Sequence, residues 1–175
     1  VDPDKLSREG TVVVAPLLKD IHWGQDYPFN FQCPTYTSGG FSTHYYTGCV
    51  ATAATQIMRY YNYPVQGSGS KSYVSNGKTL TADFGATTYD WPNMIDNYDK
   101  DVKLNQDQIN ALSVLPAHFG IAVEMQYAPS GSGAYTMMVP GALKKYFKYD
   151  NGLYLCMRNY YSCLLYTSPS PRDTR

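Results

Sequence analysis

The sequence predicts an α+β fold, and three observations carry that prediction. Charged residues fill only 16% of the 175 positions while Tyr alone supplies 18, with 14 Gly and 11 Pro, a balance foreign to disordered chains and to long helical bundles. From Cys49 onward, apolar residues recur at three- and four-residue spacing, as on one face of a helix. Beyond it, Asn76-Gly77 lies between two β-forming runs, a strong signal for a tight hairpin. A chain of this length buries one core by default.

Taken in order, residues 1–10 are polar and read as a tether. Residues 11–14 are a β-branched run, halted at Pro16, and predict a short strand. From 20 to 46 no period is sustained, and Gly24, Pro28, Pro34, Gly39 and Gly40 punctuate an aromatic-rich loop; a loop that long in a compact domain usually has a task. The helix predicted over 49–61 puts Val50, Ala53, Ala54, Ile57, Met58 and Tyr61 on one stripe, with Ile57 and Met58 facing the core. Asn62 and Pro64 stop it. Residues 72–84 form the hairpin, 89–94 lead into a short helix, and 106–118 form a second long helix that Pro116 bends or ends. Alternation over 121–127 predicts a strand, 129–133 a loop, and 140–147 a third helix.

Bulk charge removes several function classes. The formal net charge is zero and the basic residues do not cluster beyond Lys144-Lys145, so the footprint needed for nucleic acid or an anionic membrane is missing. No apolar run approaches the roughly 20 residues of a membrane span. Cys33, Cys49, Cys156 and Cys163 include no C-x-x-C pair and no zinc-type Cys/His spacing; neither a metal site nor any cofactor is expected, and no disulfide pairing is assigned. Gly67 and Gly69 lack the Lys-Ser/Thr ending of a phosphate loop.

The chemistry concentrates at Cys49. It follows Thr47-Gly48 at the first turn of the best helix in the chain. A helix N-terminus presents unpaired N–H groups and partial positive charge, a setting that favours thiolates over thiols, and the thiolate is the nucleophilic form. Gly48 permits a tight backbone entry.

The residues around Cys49 carry a family resemblance. Thr47-Gly48-Cys49-Val50-Ala51-Thr52-Ala53, then Gln56-Ile57-Met58, Tyr60 and Tyr61-Asn62-Tyr63-Pro64, resemble the nucleophile helix of the streptopain family of bacterial cysteine peptidases. The same likeness holds for Pro16-Leu17-Leu18, Trp23-Gly24-Gln25, Cys33-Pro34, Gly120-Ile121, Tyr127 and the 129–132 loop, and covers most of 16–162. It implies a papain-like fold in a secreted or cell-surface endopeptidase made as a zymogen, with Cys49 as nucleophile and Gln25 as the side-chain donor of the oxyanion hole. It also implies protein or peptide substrates, a pro-segment as inhibitor, and residues 1–10 as the possible end of that segment. Residues 130–134, small and Gly-rich, could border the substrate cleft or simply connect elements.

What the resemblance requires and the sequence lacks is a base. In this family the catalytic His lies in a Gly-His segment far downstream, and none of His22, His44 or His118 matches that position. The fold is therefore expected to be incomplete, with residues 11–162 the N-terminal, nucleophile-bearing part of the peptidase domain and the His-bearing β half absent. Residues 163–175 differ sharply in composition, and 163–173 translate one reading frame of a transposase-type sequencing adapter residue for residue. They are expected to be an artefact that packs against nothing. Two other classes remain open: a non-catalytic peptide-binding descendant of the same fold, and an unrelated Tyr-rich adhesion module, which a non-helical Cys49 segment would indicate.

Overall fold

A computed structural model describes residues 16–18, 20–98 and 102–157. The strand expected at 11–14, the polar start and the 163–175 tail lie outside the described residues. Within them the order is β1 (Thr35–Ser38), β2 (Phe41–His44), α1 (Cys49–Tyr61), β3 (Ser70–Ser75), β4 (Lys78–Asp83), a 3-10 turn (Trp91–Asn93), α2 (Gln106–Ala122) and α3 (Met138–Phe147).

The strands form two separate antiparallel hairpins, β1-β2 and β3-β4. In the second, Ser75 pairs with Lys78 across Asn76 and Gly77, both at positive φ (51° and 71°). That is the backbone a two-residue hairpin turn needs, and Asn-Gly supplies it at least cost. The β1-β2 hairpin turns the same way on Gly39 and Gly40 (φ 57° and 84°). It falls inside what the sequence reading takes as continuous loop.

Helix α2 starts with a capping box: Asn105 accepts from the Gln108 N–H while the Gln108 side chain accepts from the Asn105 N–H. It is buried nearly all round, with Leu112, Leu115 and Phe119 fully inside. Pro116 lacks the N–H owed to the Leu112 carbonyl, yet the helix runs on to Ala122. The strand expected over 121–127 is thus corrected: Ile121 and Ala122 finish α2, Glu124 turns the chain at φ 54°, and only Gln126 makes a β-bridge, to Gly133. A helix apolar on every side loses its period, so its last turn and the following residues mimic alternation.

Around α2 the core is aromatic. Phe84 stacks on Tyr146 at 4.6 Å, Phe119 stacks on Phe147 at 5.5 Å, and Tyr89 and Trp91 close the cluster. Helix α1 packs on α2 through Ala51, Ala54, Thr55 and Met58. Met58 faces the core as expected, but Ile57 is 44% exposed, and Ala53 and Tyr61 are also open to solvent. Two apolar arcs run down this helix, and helical spacing alone does not say which one the core takes. The arc through Ala53, Ile57, Tyr60 and Tyr61 is the uncovered one.

Candidate active site

Three segments meet at the start of α1. Gly48 is its N-cap, at φ 86° and ψ 144°, and no side chain caps the helix. Thr47, fully buried, places its hydroxyl 2.8 Å from that of Thr52, which also donates to the Gly48 carbonyl at 3.0 Å. These bonds hold the turn into the helix while leaving the Cys49 side chain exposed. The first-turn N–H groups of an uncapped helix remain free to meet an incoming anion.

The second segment carries Gln25. Its carbonyl accepts from the Thr47 N–H at 3.0 Å, so the backbones of Gln25 and of the residues leading into Cys49 are joined directly. Trp23 fixes the approach: its N–H donates to Gln56 Oε1 at 3.3 Å, its indole N–H to the Ile95 carbonyl at 2.8 Å, and its ring packs on Phe29. Both Gln25 and Cys49 face solvent. The separation in sequence is bridged by the long loop, which Asn30 ties back through a bond to the Tyr45 carbonyl.

The third segment is the turn from Met125 to Gly133. Gln126 and Gly133 exchange two backbone hydrogen bonds (2.8 and 3.1 Å), and the β3-β4 hairpin holds the segment through Tyr73, which donates to the Met125 carbonyl, and Asn76, which donates to the Tyr127 carbonyl. A Cβ on Gly48 would lie 2.7 Å from Met125 Sδ and 2.9 Å from the Ser132 carbonyl. The small-residue loop therefore sits directly on the residue before the nucleophile. Thr47, Thr52 and Ser132 lie in stretches that carry the family resemblance, but their parts in holding the helix start, and that of Met125, are not marked by spacing; only the cluster of small residues at 130–134 hints at close approach.

The remaining candidates divide by environment. Cys33 is buried, and burial pushes its thiol up to about 12, so it stays protonated and inert. His44 Nδ1 is 2.8 Å from the Cys33 carbonyl, with its ring against Phe31. His22 forms a backbone bridge with Asn97. His118 sits on α2, its Nδ1 3.2 Å from the Tyr89 hydroxyl and its ring edge-on to Phe84. Burial lowers its pKa from 6.5 to about 4, against a smaller upward pull from Asp83. Among the described residues no three His, Cys, Asp or Glu side chains converge as a metal site, and no helix is long and apolar enough to cross a membrane.

His118 gives the fold a pH dependence of definite sign. Above pH 6.5 the imidazole is neutral whether the chain is folded or not, and its contribution is complete. As pH falls from 6.5 towards about 4 the unfolded chain binds a proton that the folded chain refuses, so stability drops. The drop from this group is at most about 3 kcal/mol. Urea midpoints at pH 7.5 and 4.5 are expected to lie further apart for the native chain than for His118→Gln. Equal separations would show that this imidazole charges freely in the fold.

Comparisons with known proteins identify the family. The Peptidase C10 family model matches residues 23–166, and the chain belongs to that family. It is 34% identical to streptopain of Streptococcus pyogenes, over 86% of this chain and 41% of that protein. It is 35% identical to the thiol protease/hemagglutinin PrtT of Porphyromonas gingivalis, over 85% of this chain and 18% of that one. The active wild-type interpain A cysteine protease of Prevotella intermedia superposes with a TM-score of 0.69 at 42% identity, covering 77% of this chain and 55% of that one. The fold is accordingly that of C10 cysteine proteases, mixed helix and sheet, and the chain spans less than half the length of the curated relatives it matches.

Proposed function

We propose that this chain is the nucleophile-bearing part of a secreted cysteine endopeptidase, which cleaves protein substrates through an acyl-enzyme on Cys49. One observation carries the reading: an exposed cysteine at the uncapped start of α1, with the Gln25 backbone bonded to Thr47 two residues before it. In the reaction, Cys49 Sγ attacks the scissile carbonyl carbon. The carbonyl oxygen becomes an oxyanion held by the Gln25 amide and the Cys49 N–H, and the amine leaves with a proton from a general acid. That acid is the family's histidine, which on this reading belongs to a β half encoded beyond residue 162, with 163–175 adapter-derived.

The uncovered arc of α1 supports the incompleteness. Ala53, Ile57, Tyr60 and Tyr61 form an apolar stripe running from Cys49 along the helix, three of them large and 44–59% exposed. Such a stripe beside a nucleophile calls for a cover, and a second half of the domain supplies one. Secretion and a zymogen stage with an inhibitory pro-segment follow from the family reading.

The test uses a clone that carries the reading frame onward from residue 162. It is expected to hydrolyse casein and to lose that activity with one equivalent of iodoacetamide. Gln25→Ala should lower kcat/KM by about a hundred- to a thousandfold, the usual effect of removing one oxyanion donor, while the rate of Cys49 alkylation stays unchanged. Unaltered kcat/KM in that variant would remove Gln25 from the site.

A further inference from the structure

Beside Gln25 lies a cleft of about 610 Å³, lined by His22, Trp23, Asp26, Tyr27, Gln56 and Tyr98 among others. Gly24 and Asp26, the neighbours of Gln25 on either side, both line it. Gln56 stands two turns along α1 from Cys49, on nearly the same face of the helix. The cleft therefore lies against the Gln25 backbone and against the helix that carries Cys49.

The walls describe what the cleft would take. Trp23, Tyr27 and Tyr98 supply aromatic surface, with Tyr27 half exposed at the rim. Asp26 supplies an exposed carboxylate, folded back over Gly24 so that Oδ1 lies 2.9 Å from where a Cβ on that glycine would stand. Among the described residues no Lys or Arg lines the cleft and no ion pair engages Asp26. A long alkyl stem ending in a cation matches such walls: the stem lies on the aromatics and the charge meets the carboxylate.

We propose that this cleft is a specificity subsite for a Lys or Arg side chain of the substrate, on the Gln25 side of the scissile bond, with Asp26 as the residue that selects for charge. The inference rests on the peptidase reading and deepens it. It differs from the Ser132 side of the site, where Gln126 bridges to Gly133 and residues 125–133 include no Asp or Glu.

The test is a set of quenched-fluorescence peptides carrying Lys, norleucine or Glu at each of the three positions on either side of one cleavage site, hydrolysed by the clone extended beyond residue 162. At one position Lys should exceed norleucine about fivefold in kcat/KM, the gain from one solvent-accessible ion pair, and Glu should fall below both. Asp26→Asn should erase the Lys advantage, bringing the Lys and norleucine peptides to equal kcat/KM, and 0.5 M NaCl should shrink the advantage in the native enzyme. Lys preference at no position, or one that survives Asp26→Asn, overturns the subsite while casein hydrolysis leaves the peptidase reading intact. Failure to cleave casein overturns the peptidase reading, and the subsite with it.

Discussion

Cys49→Ala in a clone extended beyond residue 162 is expected to abolish casein hydrolysis, lowering kcat on the order of 10⁴-fold or more, as loss of a covalent nucleophile does. No other thiol among the described residues is placed to replace it. Cys33 is buried with its thiol pushed up to about 12, and Cys156 lies in the segment after α3. Because the Cys49 side chain is exposed, the variant should keep the circular dichroism and urea midpoint of the parent, which separates lost chemistry from lost fold. The 175-residue chain makes the complementary case. If the base lies in a β half beyond residue 162, as proposed, the 175-residue chain lacks the proton transfer to the leaving amine, a step worth about a hundred- to ten-thousandfold; it should then not turn casein over, yet iodoacetamide should label Cys49 and spare Cys33. Robust turnover by the 175-residue chain, abolished by Cys49→Ala, would make one of His22, His44 or His118 the base and end the two-halves reading.

How much of this was legible beforehand depends on where the signal lay. Helix α1 begins and ends where the sequence places it, because Gly48 and the Asn62-Tyr63-Pro64 stop are local signals. The β3-β4 turn was legible for the same reason, Asn-Gly fitting positive φ at both central positions. The β1-β2 turn carries the related signal Gly39-Gly40, but its flanks, Thr35–Ser38 and Phe41–His44, lack apolar alternation since most of their side chains face solvent. Strands without a buried face give periodicity nothing to read. The wrong arc assigned to Ile57 has another cause. Which side of α1 is covered depends on what packs there, and α2, which begins at Gln106, selects the Ala51, Ala54 and Met58 side from far along the chain. In the site, Cys49 and Gln25 were named through family resemblance. The hydrogen bond from Thr47 to the Gln25 carbonyl and the contact of Gly48 with the Met125–Gly133 turn are long-range and leave no spacing to detect.

That last contact predicts the largest stability effect. At Gly48 the backbone is at φ 86° and ψ 144°, close to a region populated almost only by glycine, where a side chain costs about 1–3 kcal/mol in strain alone. Added to this, a Cβ would stand 2.7 Å from Met125 Sδ, 2.8 Å from its Cε and 2.9 Å from the Ser132 carbonyl. Met125 is fully buried, and the Ser132 carbonyl belongs to backbone pinned by the Gln126–Gly133 bridge, so neither yields cheaply. Overpacking of this kind adds about 1–3 kcal/mol, and Gly48→Ala should therefore cost about 3–5 kcal/mol, enough to consume much of a domain's usual margin. Two other glycines separate the contributions. Gly39→Ala meets the positive φ of 57° with no atom within 4 Å of the new Cβ, and should cost only the strain. Gly141→Ala, inside α3 with open space around it, should be neutral or stabilising by about 0.4–1 kcal/mol. Urea midpoints of the three variants are expected in the order Gly141→Ala, Gly39→Ala, Gly48→Ala, with the last also slowing Cys49 alkylation because the helix start must shift to make room. A Gly48→Ala midpoint equal to that of Gly39→Ala would mean that the Met125–Gly133 turn does not rest on the nucleophile's neighbour, and the three-segment description of the site would lose its third side.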